Sequence, residues 1–271
     1  MDSTFILVAL IVAVALAFDY INGFHDAANS IATIVATRVL NPLHAVVWAG
    51  VWNLMAVFVL DTGVASTVGK GMVDLKIVTP YVILAGLIGA ITWNLATWWW
   101  GLPASSSHAL LGGYGGAAMA KVALTQGVTN TFAALVIPGW VKMISFIVIA
   151  PVLGMTVAYL LMVAVYWIFR KSTPNKVDKW FRGLQLASSA VFSFSHGAND
   201  AQKTMGIITS VLFSAGYIKD FVVPKEVIWA AYIAIAAGTM SGGWRIVRTM
   251  GARLTRLKPK GGFCAETAAA I

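Results

Sequence analysis

Asn22-Gly23-Phe24-His25-Asp26-Ala27-Ala28-Asn29 interrupts an apolar run near the start of the chain. The pattern returns as His196-Gly197-Ala198-Asn199-Asp200-Ala201-Gln202-Lys203. Gly23 aligns with Gly197 and Asp26 with Asp200, 174 residues apart. A charged side chain at the centre of a bilayer costs about 2.5–3.5 kcal/mol even on a lenient insertion scale. Two such insertions at matching places point to a solute site between two related halves.

The surrounding sequence requires a membrane. Of 271 residues, 59% are hydrophobic and 11% charged, against about 25% charged in soluble domains. Mean hydropathy is +0.81. The composition predicts a multi-pass, all-α bundle in the lipid bilayer, placed in the inner membrane if the source is bacterial. Strand alternation is missing, which argues against a barrel. The single cysteine, Cys264, excludes an internal disulfide and a thiolate metal site.

Net charge is +9, and its position carries more information than its size. Arg170, Lys171, Lys176, Lys179 and Arg182 form one cluster; Arg245, Arg248, Arg253, Arg256, Lys258 and Lys260 form another. Aromatics suited to nucleic acid are scarce between them, so no nucleic-acid partner is expected. The positive-inside rule puts both clusters in the cytoplasm. Met1-Asp2-Ser3 has no basic residue before the first apolar run, so the N-terminus is expected outside.

Loop order divides the chain. Each motif is followed by a short loop, a tryptophan-bearing apolar run and a long loop. The long loop at 244–261 is strongly basic, whereas that at 62–79 holds only Lys70, Asp74 and Lys76. Equivalent loops of opposite charge bias predict an inverted-topology repeat. The expected organisation is a first repeat at 1–169, a basic linker at 170–182 and a second repeat at 183–271. Short apolar runs around Gly23, Pro103 and Gly197 predict broken or re-entrant helices there. By the repeat offset, the partner of Pro103 would fall near position 277, so the second repeat is expected to be incomplete.

Asp19, Asn22, Asp26, Asn29 and Thr33 fall on one helical face, as do Ser193, His196, Asp200 and Lys203. Such stripes face a cavity or a partner helix rather than lipid. Gly23 and Gly197 are expected to unwind the chain within the motifs. The segment Leu102-Pro103-Ala104-Ser105-Ser106-Ser107-His108 reads as a helix start with Pro103 at its first position. Free N–H groups and three hydroxyls at that positive end suit an oxyanion such as phosphate or sulfate.

Charge balance then suggests a mechanism. A dianion 4 Å from a carboxylate is repelled by several kcal/mol at an effective dielectric of about 20. It binds only if Asp26 and Asp200 are neutralised, which predicts cation-coupled symport. Asn29 and Thr33 would complete a sodium shell; proton coupling needs only the aspartates. The predicted coupling-ion residues are Asp26, Asn29, Thr33 and Asp200. Ser105, Ser106, Ser107, His108, Asn199 and Lys203 are the predicted substrate-binding residues. No catalytic residue, resident metal or organic cofactor is expected; the coupling cation is Na+ or H+. A competing reading of another class is a membrane enzyme holding a metal with His25, Asp26, His108 and Asp200. Trp98-Trp99-Trp100 reads as an aromatic belt.

The two motifs and the Gly101–His108 segment together resemble the inorganic phosphate transporter (PiT) family. The resemblance covers essentially the whole chain. It implies an inverted repeat, both termini outside, and uptake of inorganic phosphate with sodium or protons. It assigns Asp26, Asn29, Asp200, Lys203 and the serines after Pro103 to the substrate and coupling-ion site. Gly262-Phe263-Cys264-Ala265-Glu266-Thr267 resembles the family segment that precedes a second proline–serine/threonine–histidine turn. A sulfate permease of the same family is the alternative substrate reading, and homo-oligomerisation is left open.

Overall fold

The computed structural model describes residues 3–58, 62–254 and 257–270. Met1, Asp2 and Arg256 lie outside the described residues, as does the side chain of Arg253. Among the described residues ten α-helices follow one another, and no strand occurs beyond an isolated bridge between Val73 and Leu135.

The first helix, α1 (Ser3–Ala36), runs unbroken through the first motif. Asn41 caps α2 (Pro42–Met55): its side chain accepts from the His44 amide at 2.9 Å, and Pro42 takes the first turn, where an N–H would be unsatisfied anyway. Then comes α3 (Gly63–Lys70), bent by 89° from the α2 segment. The next helix, α4 (Pro80–Trp100), stops at Gly101, whose φ of 67° lies in the left-handed region that glycine tolerates. The chain turns at 101–105 and returns as α5 (Ser106–Gln126). The outer ends of this hairpin are tied together: the Asp74 amide donates to the Ala134 carbonyl at 3.0 Å, and Trp140 Nε1 to the Met72 carbonyl at 2.8 Å. A long apolar helix, α6 (Ile137–Ile168), completes the first half.

The second half begins with α7 (Pro174–Ser214), a helix of 41 residues that carries the second motif without interruption. It starts inside the stretch expected to be linker, which leaves only 169–173 between helices. Two shorter helices follow, α8 (Lys225–Ser241) and α9 (Trp244–Arg248), bent by 52°. The last is α10 (Pro259–Ala270). The bent α2–α3 pair after the first motif thus has a counterpart in the bent α8–α9 pair after the second.

Of the three expected helix breaks, the one near Pro103 is present; those at Gly23 and Gly197 are not. The glycines serve close packing instead. A Cβ on Gly23 would lie 2.1 Å from the Ile235 carbonyl oxygen of α8, and one on Gly197 would lie 2.5 Å from the Asn53 carbonyl oxygen of α2. Each motif helix therefore crosses the helix that follows the other motif at backbone contact. Small residues at such crossings are how helices associate where lipid removes the hydrophobic drive between them. Buried amide and hydroxyl groups reinforce the seam: Asn53 Nδ2 donates to Thr239 Oγ1 at 2.7 Å.

The largest apolar core joins α1, α4, α5 and α7 through Ile11, Phe18, Leu87, Leu110, Tyr114 and Ile208. By contrast, the most apolar stretch of α6 has no buried residue in its 18-residue window. So large an unburied apolar face marks α6 as a helix long and apolar enough to cross a membrane. Among the described residues, three helices are long and apolar enough to cross a membrane, or up to five if each bent pair is one span.

Candidate functional site

The two motifs meet. Asp26 of α1 and Asp200 of α7 line one cavity of about 400 Å³ together with Asn29, Ser105, Ser107 and His196; Pro103 and Ala104 complete the wall. Three elements thus converge: both motif helices and the hairpin turn between α4 and α5.

Asp26 is held from two sides. His25 Nδ1 lies 3.0 Å from its Oδ1, and His25 Nε2 lies 3.0 Å from Thr97 Oγ1 of α4. His25 is therefore a buried strut between α4 and the carboxylate. Ser106 Oγ donates to the same Oδ1 at 3.2 Å. Asp200 has a different neighbour: the Lys203 ammonium, one turn later on α7, donates both to Asp200 Oδ1 and to Ser107 Oγ. His196 stands between the carboxylates, with Nε2 4.0 Å from Asp26 Oδ2 and 3.6 Å from Asp200 Oδ2. Asp26, His196 and Asp200 can present one ligand atom each within 4.8 Å of one another.

The three serines have separate tasks. Ser105, not Pro103, begins the helix: its Oγ accepts from the His108 amide at 3.3 Å as the N-cap of α5. Pro103 lies in the turn, two residues before that cap. Ser106 is buried and directed at Asp26. Ser107 accepts from Lys203. Since Ser105 and Ser107 both act as acceptors, their own O–H groups remain to donate into the cavity.

Three expected site residues stand apart. Thr33 is two turns from Asp26 and donates to Glu266 Oε1. His108 is exposed and lines a second cavity beside Gly89 and Trp93. Asn199 is exposed and donates from Nδ2 to the Ser195 carbonyl at 2.8 Å. His196, which opens the second motif and lies on its polar stripe, belongs to the cavity wall. One feature escapes a reading by motif. Glu266 of α10 sits in a buried cluster with Thr33, Gln185 and Ser188; it is the lone carboxylate of its apolar segment. Asp19 is fully buried, with Asn22 and Thr204 as polar neighbours. Trp98 and Trp99 lie under the Arg245 guanidinium, at 4.8 and 4.2 Å from their ring centroids.

The chain is similar to known proteins along its whole length. A probable low-affinity inorganic phosphate transporter of Rhizobium meliloti (strain 1021) is 52% identical over 274 residues, covering all of this chain and 80% of the relative. Another of that description, from Bacillus subtilis (strain 168), is 42% identical over 280 residues, again covering all of this chain and 80% of the relative. A solved structure described as the sodium-dependent phosphate transporter superposes with a TM-score of 0.81 at 20% identity. It matches 97% of this chain and 82% of its own, and shows the fold alone. Residues 22–271 match the family model PHO4, described as the phosphate transporter family. The chain belongs to this family of transporters and is a multi-pass membrane protein rather than an enzyme.

Proposed function

We propose that the protein moves inorganic phosphate by cation-coupled symport, with the cavity between the motif helices as its transport site. The observation that carries this reading is the pairing of two inequivalent carboxylates on one cavity. Asp200 is already neutralised by Lys203, whereas the ion-pair partners of Asp26 among the described residues are both histidines. A phosphate dianion 4 Å from a bare Asp26 would be repelled by about 8 kcal/mol, twice the value for two unit charges, at an effective dielectric of about 20. A sodium ion or a proton bound with the phosphate removes that repulsion, so each favours the other's binding.

The anion would be held by the free O–H groups of Ser105 and Ser107, by Lys203 and by the first amides of α5. A lysine ammonium has three donors, and two already point at Ser107 and Asp200. The third, with the N–H groups of Ser106 and Ser107 at the helix start, serves an oxyanion. Ser106 instead fixes the carboxylate that receives the cation. Asn29 faces the same cavity and supplies a neutral oxygen for it. The two halves then rock about the glycine crossings, exposing the cavity to each side in turn.

Substituting Asp200→Asn tests this assignment. It leaves Lys203 without its partner, and concentrative phosphate uptake is expected to fall to background while the protein still reaches the membrane. Undiminished uptake by that variant would remove Asp200 from the site.

A further inference from the structure

A third cavity, of about 500 Å³, lies apart from the motif residues, where the end of α6 meets the start of α7 and the segment leading into α10. Tyr166, Arg170, Asn175, Asp178, Lys258 and Lys260 line it, over an apolar floor that includes Val165, Phe169 and Val177. Its charge is unbalanced. Asp178 is engaged by Arg182, whose Nε donates to it at 3.1 Å. Among the described residues, no carboxylate pairs with Arg170, Lys258 or Lys260. Two of these cations are held over aromatic rings: Arg170 lies 4.8 Å from the Trp167 centroid, and Lys260 lies 4.1 Å from that of Tyr166. Ring faces hold a cation in place without neutralising it.

The depth of this cavity is marked by its neighbours. Tyr166, Trp167 and Trp180 are all exposed here, and tyrosine and tryptophan collect where hydrocarbon gives way to headgroups. Directly beyond them runs the unburied apolar face of α6. The cavity thus joins three unneutralised cations to a lipid-facing helix. By the positive-inside rule this is the cytoplasmic side, where anionic lipids attract basic segments.

We propose that this cavity binds the phosphate headgroup of an anionic phospholipid, whose acyl chains lie along α6. The headgroup phosphate meets Arg170, Lys258 and Lys260, while the Asn175 amide serves the glycerol oxygens. A soluble anion would use the same cations but would leave the apolar floor and the α6 face uncovered.

Native mass spectrometry after exchange into neutral detergent, with phosphatidylglycerol and phosphatidylcholine added in equal amounts, tests the proposal. One phosphatidylglycerol per chain is expected to survive delipidation. Lys258→Gln with Lys260→Gln is expected to lower its retention about thirtyfold, at roughly one kcal/mol per basic residue near the surface. The charge-matched pair Arg245→Gln with Arg248→Gln should change it less than about twofold. Lys258→Gln alone, at an exposed position, keeps the test valid if the double variant misfolds, and should give a smaller loss in the same direction. Equal losses from both double variants would reduce the effect to general surface charge and overturn the site. Equal retention of phosphatidylcholine would do the same, as would displacement of the lipid by millimolar inorganic phosphate.

Discussion

Asp26 and Asp200 occupy matching places on two helices and live in different surroundings. Asp26 accepts from a serine hydroxyl and is braced by a histidine that reaches across to Thr97. Asp200 carries its own counter-cation, the Lys203 ammonium, three residues along the same helix. The first copy has Asn29 where the second has Lys203. In the proposed symport, a tethered ammonium does for Asp200 what a mobile cation would do for Asp26. The difference teaches that two copies of a motif need not be compensated alike: Asp200 has a lysine of its own helix beside it, and Asp26 has only histidines as ion-pair partners among the described residues.

The largest effect is expected where compensation has to come from outside. Asp26→Asn removes the carboxylate that needs a mobile cation, so gradient-driven phosphate accumulation should fall to background. Tracer phosphate exchange without a gradient distinguishes lost coupling from lost binding. Retained accumulation in this variant would break the contrast between the two copies.

Next comes the tether. Lys203→Asn gives the second copy the first copy's pattern and strands Asp200 as a buried charge. Breaking such a pair costs about 3–5 kcal/mol, and a fall in thermal unfolding temperature should register it. The double variant Lys203→Asn with Asp200→Asn removes both charges and should recover most of that stability without recovering transport. Equal stability of the single and double variants would show that the ammonium is not compensating Asp200.

The serines sharpen the comparison at smaller scale. Ser106→Ala takes a donor from Asp26, and Ser107→Ala takes a partner from Lys203. Hydrogen bonds to charged groups are worth about 1.5–3 kcal/mol, so each should weaken uptake by about tenfold or more. The two should differ in kind. Ser106→Ala is expected to shift the dependence on the coupling cation, and Ser107→Ala the apparent affinity for phosphate. Identical shifts in both would merge the two roles. The smallest effects belong to His108→Ala and Asn199→Ala, which lie outside the cavity; each should change initial uptake less than about twofold.

Much of this site was legible in the chain. The polar stripe around Asp26, its return at Asp200 and the helix start after Pro103 are local patterns, and they converge on one cavity as their chemistry required. What escaped depends on partners distant in sequence. Gly23 and Gly197 read as points of unwinding because glycine is a poor helix former in isolation. Their helices remain continuous because another helix backbone, at Ile235 or Asn53, lies where a side chain would be. Periodicity puts Thr33 on the same face as Asp26 but cannot reveal that Glu266, 233 residues later, takes its hydroxyl. His108 follows three serines of the site in sequence, yet the turn of α5 carries it into a different cavity, beside Gly89 and Trp93.

Phosphate uptake into proteoliposomes, with sodium and proton gradients imposed separately and Asp26→Asn run beside the parent, tests the division between the two carboxylates most directly. The account predicts accumulation above equilibrium under one of the two gradients, and its loss in Asp26→Asn. Accumulation that ignores both gradients, or that persists undiminished in Asp26→Asn, would contradict it.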